Sequence, residues 1–340
     1  MLSKREREAR RRRYRIQQRI TIVLVLLVLV LLVVGAVVAL RHISETGDDT
    51  PGGNSQGTTS TSQTTTTTKY PPMASGMLPG IGLDTNDIQA VMVYDATDGQ
   101  TVYGYDIDRR MYPASMTKMM TAAVACEYLT EDMSFTVGTE LELVASDASR
   151  AGLWKGRTVS LRSLLEGLLM NSGGDCAYTL AVNTARKATG NAALDDAAAV
   201  AKFMELVNAR MTAIGCTGSH FSTPDGYYAH DHYSTAKDMA LISVYARSFP
   251  LLHTVMGQWS GEYYKTNTNL LLNPESEYYY EYADGLKTGF HDQGGYCLAA
   301  SATKDGRTLI VIILCGHDAN DRFSVAKNLF EQSFAYVAQQ

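Results

Sequence analysis

Tyr112-Pro-Ala-Ser-Met-Thr-Lys-Met-Met-Thr-Ala122 sets a serine and a lysine three residues apart at the start of an apolar helical run, Met116–Leu129. On a helix, positions i and i+3 share a face, so Ser115 and Lys118 can meet. A lysine kept neutral there takes the serine proton and makes a nucleophile without histidine. The helix start adds unpaired N–H groups and a positive dipole end, which suit a developing oxyanion. The chain has three other Ser-x-x-Lys pairs, Ser234/Lys237, Ser301/Lys304 and Ser324/Lys327. None of those opens a helix, so Ser115 and Lys118 are the candidate pair.

Two further segments carry matching chemistry. Lys287-Thr288-Gly289 precedes a predicted strand, where a cation and a hydroxyl suit a substrate carboxylate and glycine permits close backbone approach. Asn171-Ser-Gly-Gly-Asp175 is a loop between a leucine-striped helix and the next helix. Ser-x-x-Lys, Ser-x-x and Lys-Thr-Gly, in this order, resemble the active-site set of the penicillin-recognising serine enzymes. The likeness is strongest to serine-type D-alanyl-D-alanine carboxypeptidases of peptidase family S11, the low-molecular-weight penicillin-binding proteins. It covers residues 88–340 and includes Asp231-His-Tyr-Ser-Thr-Ala236, Asp284-Gly-Leu-Lys-Thr-Gly-Phe290 and Gly295-Tyr-Cys-Leu-Ala-Ala-Ser301.

The resemblance implies roles. Ser115 is the acyl-accepting nucleophile, Lys118 its general base, and Ser172 a proton relay to the leaving amine. Burial and the neighbouring cation Lys287 are expected to lower the Lys118 pKa. Lys287 and Thr288 hold the substrate carboxylate, beside Gly289. The N–H groups of Ser115 and Phe290 form the oxyanion hole. It implies a β-lactamase/transpeptidase-like fold of mixed α/β (α+β) class, an antiparallel sheet flanked by helices plus an all-helical region. It implies a peptidoglycan stem peptide ending in D-Ala-D-Ala as substrate, β-lactam binding, and no cofactor. One position departs from the family pattern. Gly174 stands where the family usually has an asparagine two residues after the middle serine.

Other readings are weaker. A non-catalytic penicillin or muropeptide sensor draws support from Gly174 and the basic N-terminus. A β-lactamase would need Ser-Asp-Asn and a deacylating glutamate segment, which Ser172-Gly173-Gly174 does not match. Transpeptidation needs only an amine acceptor in place of water. His220, His230, Asp231 and His232 suggest a metal hydrolase, but there is no His-Glu-x-x-His, and no metal is expected.

The chain's net charge of −5 hides a split. Residues 1–19 carry nine Lys/Arg against two Glu, and residues 42–340 sum to −13. An acidic body of this kind disfavours nucleic-acid binding. Between the halves, Ile20 to Leu40 form 21 uncharged residues, long enough to span about 30 Å of hydrocarbon. With the cations before it, this span predicts a single-pass anchor, a cytoplasmic N-terminus and an extracytoplasmic remainder. The expected organisation is a basic tail (1–19), a transmembrane anchor (20–40), a Ser/Thr-rich flexible linker (41–81) and a peptidase domain (82–340).

Within that domain, short strands at Ala90–Tyr94 and Thr101–Tyr105 flank Asp98-Gly99, a two-residue hairpin signal. Tyr296–Ala302 and Thr308–Cys315 flank a second, Asp305-Gly306. Between them the pattern is helical, with stripes at Leu161, Leu164, Leu165, Leu168, Leu169 and at Val200–Ile214 closed by Gly215. A terminal helix covers Phe323–Val337. Strands at both ends predict one sheet joining the two ends of the domain around a helical insertion. Five cysteines leave at least one unpaired and read as buried thiols, with one disulfide remaining open. Tyr278–Tyr280 reads as a surface loop.

Overall fold

A computed structural model describes residues 88–292 and 294–340. The basic tail, the anchor, the linker and the first residues of the expected peptidase domain lie outside the described residues. Among the described residues, no single helix is long and apolar enough to cross a membrane.

The apolar run Leu309–Leu314 decides the architecture. In an extended chain, successive side chains point to opposite faces. Leu309, Val311 and Ile313 therefore enter one hydrophobic core, and Ile310, Ile312 and Leu314 the other, all fully buried. A strand apolar at every position must be central and covered twice. Strand β7 (Arg307–Gly316) accordingly sits in the middle of a five-stranded antiparallel sheet. The order is β2 (Gln100–Tyr105), β1 (Ile88–Asp95), β7, β6 (Gly295–Lys304), β5 (Ala283–His291). β1 pairs with β7 from Ile88↔Gly316 to Asp95↔Leu309, so the two ends of the domain meet in one sheet as expected.

The two predicted hairpins differ. Asp305 and Gly306 both have positive φ (51° and 78°), as a two-residue type I′ turn requires. The first connection instead takes four residues, Ala96–Gly99, with the Asp95 carboxylate accepting from the N–H groups of Thr97 and Asp98. Arg307 then pairs with both Asp95 and Asp98, fixing the longer turn.

The helices are α1 (Lys118–Tyr128), α2 (Leu161–Leu169), α3 (Gly174–Thr189), α4 (Asp196–Ala213), α5 (Ala236–Arg247), α6 (Pro250–Gly257) and α7 (Asp321–Val337). α7 covers one sheet face with Phe323, Ala326, Leu329 and Phe330. The other face packs on the helical region, whose α2 stripe is buried throughout. Ser160 and Asp195 cap α2 and α4 by accepting backbone N–H groups, and Gly215 follows α4 at φ 92°. A two-stranded ribbon joins β3 (Ser134–Thr136) to β4 (Thr158–Ser160). All five cysteines are free. The Tyr278–Tyr280 segment is not simply a surface loop: Tyr280 is buried and stacks on Phe330 at 5.6 Å.

Candidate active site

Ser115 lies in a 3₁₀ turn, Ala114–Thr117, that runs directly into α1 at Lys118. Ala114 has φ 51°, a strained conformation for a residue with a side chain. The turn is held by a short chain of hydrogen bonds. Thr117 Oγ1 donates to the Ala114 carbonyl at 2.8 Å and lies 2.8 Å from His232 Nε2. His232 Nδ1 accepts the Ser222 N–H, so Nε2 carries the proton and donates to Thr117. Burial and the neighbouring His220 lower the His232 pKa to about 3, which keeps that tautomer neutral. His232 also stacks on Phe221 at 4.8 Å. His220 turns to the Asp231 carbonyl.

Lys118 is 2% exposed, and its Nζ donates to Ser115 Oγ at 2.9 Å and to the Asp225 carbonyl at 2.5 Å. Burial lowers its pKa to about 8, against the opposing pull of Asp225, Cys176 and Asp175. The loop Pro224-Asp225-Gly226 is fastened to the same segment twice more. Tyr112 Oη donates to Gly226 O at 2.6 Å, and Thr121 Oγ1 donates to Pro224 O at 2.6 Å. Gly226 is obligatory: a Cβ there would lie 2.1 Å from the Ala114 carbonyl oxygen, and its φ is 73°.

Strand β5 also passes close to the Ser115 turn. A Cβ at Gly289 would lie 2.9 Å from Pro113 O and 3.2 Å from Ala114 Cβ, so only glycine lets the strand come this close. Lys287 and Thr288 are buried on this strand. Lys287 Nζ donates to the Thr288 carbonyl, and Thr288 Oγ1 is 2.6 Å from Thr268 Oγ1. Burial, reinforced by the cations Lys118 and Arg322, holds Lys287 well below the usual lysine range. Phe290 is half exposed and stacks on Tyr296 at 4.4 Å.

An open cleft is lined by Ser115, Lys118, Ser149, Asp225, Tyr227, Phe290 and His291, among others. The pairing of Ser115 with Lys118 expected from the sequence is therefore present, with Phe290 on the same cleft. Lys287, Thr288 and Ser172 are not among its lining residues, the first two being buried on β5. Ser172 is half-buried in the turn between α2 and α3 with φ 61°. Ser149 and Asp225 line the cleft on the side of that turn, which approaches both at Gly174.

Three residues of the site escaped sequence reasoning. Asp175 accepts the N–H groups of Ala151, Gly152 and Leu153 at 2.8–2.9 Å and so holds the Ser149 loop. Arg322, at the start of α7, donates to the carbonyls of Gly289 and Cys297 at 2.9 and 3.0 Å, tying β5 to β6. Asp225 brings its carbonyl to Lys118. Asp175 closes the Asn171–Asp175 segment, but its loop-holding role is set by partners 22–24 residues away, and no local pattern marks Asp225 or Arg322.

A fold of this kind, with a lysine hydrogen-bonded to a serine beside a Lys-Thr-Gly strand, is that of a serine acyl-transfer enzyme. A family model, D-alanyl-D-alanine carboxypeptidase of peptidase family S11, matches residues 82–318, and the chain belongs to that family. The chain is 32% identical over 285 residues to a D-alanyl-D-alanine carboxypeptidase of Streptomyces sp. (strain K15), covering 76% of this chain and 92% of that relative. The crystal structure of the Streptomyces K15 DD-transpeptidase superposes with a TM-score of 0.66 at 30% identity, over 73% of this chain and 97% of that one. Penicillin-binding protein D2 from Listeria monocytogenes, in its ampicillin-bound form, gives 0.60 at 27% identity, over 73% and 97%. D-alanyl-D-alanine carboxypeptidase DacF of Bacillus subtilis is 23% identical over 261 residues and 74% of this chain, which spans 63% of DacF.

Proposed function

We propose that this protein removes the terminal D-alanine from peptidoglycan stem peptides ending in D-Ala-D-Ala, and that β-lactams acylate the same serine. The observation that carries this reading is Lys118 Nζ at 2.9 Å from Ser115 Oγ, with the lysine pKa brought down to about 8. Once Lys118 is neutral the contact reverses, and the Ser115 hydroxyl donates to Nζ. Oγ then bonds to the carbonyl carbon of the penultimate D-Ala while its proton passes to Lys118. The N–H groups of Ser115 and Phe290 receive the oxyanion. Ser172 relays a proton to the leaving nitrogen, and D-Ala departs. Water attacks the remaining ester and restores Ser115. Lys287 and Thr288 hold the terminal carboxylate, whose charge draws a proton onto Lys287. These steps call for no metal or cofactor.

The reading is tested by D-Ala release from a pentapeptide stem, with and without penicillin. Release is expected from the wild type and not from Ser115→Ala; release that persists in Ser115→Ala overturns it. A labelled-penicillin adduct on Ser115 without D-Ala release would favour a sensor. The likeness to a DD-transpeptidase supports a second activity at the same acyl-enzyme, in which an amine acceptor replaces water. Adding a glycyl amine acceptor and looking for the new peptide bond by mass tests it.

We further propose that residues 20–40 anchor the protein in the cell membrane, with 1–19 cytoplasmic and the peptidase domain outside on the 41–81 tether. The uncharged run and the nine preceding cations support this. Full-length protein should sediment with membranes and lose its peptidase domain to external protease. Recovery in the soluble fraction would sink the idea.

A further inference from the structure

The place left open at Gly174 is already filled. A Cβ on Gly174 would lie 2.9 Å from Asp225 Oδ2 and 3.2 Å from the Ser149 carbonyl. An asparagine on the first turn of α3 and the Asp225 carboxylate therefore compete for one space. Asp225 is also firmly set. Its carbonyl accepts from Lys118 at 2.5 Å, its Oδ1 accepts the Tyr227 N–H at 3.0 Å, and the carbonyls on either side of it are bound by Thr121 and Tyr112. It is 3% exposed, yet it lines the cleft beside Ser115 and Lys118.

We infer that Asp225 is the positioning residue of this active site, its carboxylate taking the place of the helix-borne carboxamide that Gly174 lacks. The inference rests on the acyl-enzyme reading above. Two consequences follow from exchanging an amide for an acid. A carboxamide both donates and accepts, whereas a carboxylate only accepts. A substrate group lying against Asp225 must then be an N–H or an ammonium, and a carbonyl there is repelled. The carboxylate also favours the ammonium form of Lys118, the form generated when Lys118 takes the Ser115 proton. The other charged or titratable groups facing Lys118 are Asp175 and Cys176 on α3, Lys287 on β5 and the neutral His232. Of the carboxylates among them, Asp175 is turned to four backbone N–H groups, which leaves Asp225 facing the cleft.

The test is the rate of Ser115 acylation by labelled penicillin, followed from pH 5 to 10 in wild type, Asp225→Asn, Asp225→Ala, Gly174→Asn and the double variant Gly174→Asn/Asp225→Ala. Removing the charge with Asp225→Asn should move the acid limb to lower pH and reduce the plateau rate on the order of tenfold. Gly174→Asn alone should lose at least about tenfold through collision with Asp225, and the double variant should recover most of that loss. A pH profile unmoved by Asp225→Asn, or a Gly174→Asn loss that is the same with and without Asp225, overturns the inference. Circular dichroism and melting temperature identify any variant that is merely unfolded, and the double variant then decides by its rate relative to Asp225→Ala alone. Wild-type protein that takes no label at all overturns the acyl-enzyme reading instead, so the two failures are distinct.

Discussion

Lys118 Nζ lies 2.9 Å from Ser115 Oγ, and the lysine is almost wholly removed from water. A buried ammonium has lost its hydration, so the neutral amine is favoured and the pKa falls to about 8. Only the neutral amine can accept the serine proton. The rate of penicillin acylation should therefore rise with pH through about 8 and level off above it. Lys118→Arg should lose at least about 10³-fold, because a guanidinium stays charged at every pH tested. A flat profile between pH 6 and 10 would remove Lys118 from the role of base.

Glycines 226 and 289 let a loop and strand β5 close on the Ser115 turn, and they should fail differently. At Gly289 the added methyl meets Pro113 O at 2.9 Å, so β5 must move away from Ser115. Gly289→Ala should keep its fold and lose about 10²-fold in acylation, since a displaced oxyanion donor is costly. At Gly226 the methyl meets backbone at 2.1 Å and the φ of 73° is unsuited to alanine. Gly226→Ala should lose more than about 2 kcal/mol of stability. Denaturant titration together with acylation rates separates the two outcomes.

Much of this was legible in the sequence, for reasons that differ by residue. β7 is apolar and buried at six consecutive positions, Leu309–Leu314, and only a doubly covered central strand accommodates that. Ser115, Lys118 and Lys287-Thr288-Gly289 sit in short contiguous motifs whose chemistry can be read locally. The first hairpin departs from its two-residue signal, Asp98-Gly99, because the buried Asp95 carboxylate caps a longer turn. Tyr280 departs from the surface-loop expectation because its ring stacks on Phe330 of α7 while its acidic neighbours give the segment a solvated look. Asp225 and Arg322 were invisible because their partners, Lys118 and Gly289, are 107 and 33 residues away.

His232 stands behind the nucleophile turn as a neutral donor. Its pKa falls from 6.5 to about 3 because burial excludes the charged form. Its folded value is below its unfolded value, so the unfolded chain binds the extra proton between about pH 3 and 6.5. The stability it supports is present above pH 6.5 and declines as pH falls toward 3. His232→Gln should therefore show a shallower loss of stability than wild type between pH 7 and 4. His232→Ala should cost about 2–4 kcal/mol at pH 7, because it opens a cavity and takes the acceptor from the Ser222 N–H. An inflection near pH 6.5 in the acylation profile that vanishes in His232→Gln would contradict the neutral role.

Asp284 secures the start of β5, three residues before Lys287. Burial pushes its carboxyl up, but Arg247, Ser301 and Thr303 overcome that and hold it below the ordinary carboxylate range. Arg247 reaches both oxygens, at 2.5 and 3.1 Å, and the two hydroxyls donate at 2.6 Å. A depressed carboxylate stabilises the fold above its unfolded pKa, and that contribution disappears as pH drops through the folded value. Acid unfolding should therefore set in below about pH 4, and Asp284→Asn should flatten that limb. Truncation leaves the mostly buried Arg247 charge unpaired, so Asp284→Ala should cost about 3–5 kcal/mol. Replacing both partners, Arg247→Met with Asp284→Leu, should cost less than either single change, because no buried charge is then left alone. Denaturant titrations of the cycle at pH 7 check this. Single and double losses that simply add would mean the pair is solvent-screened, and that β5 is held by its strand partners alone.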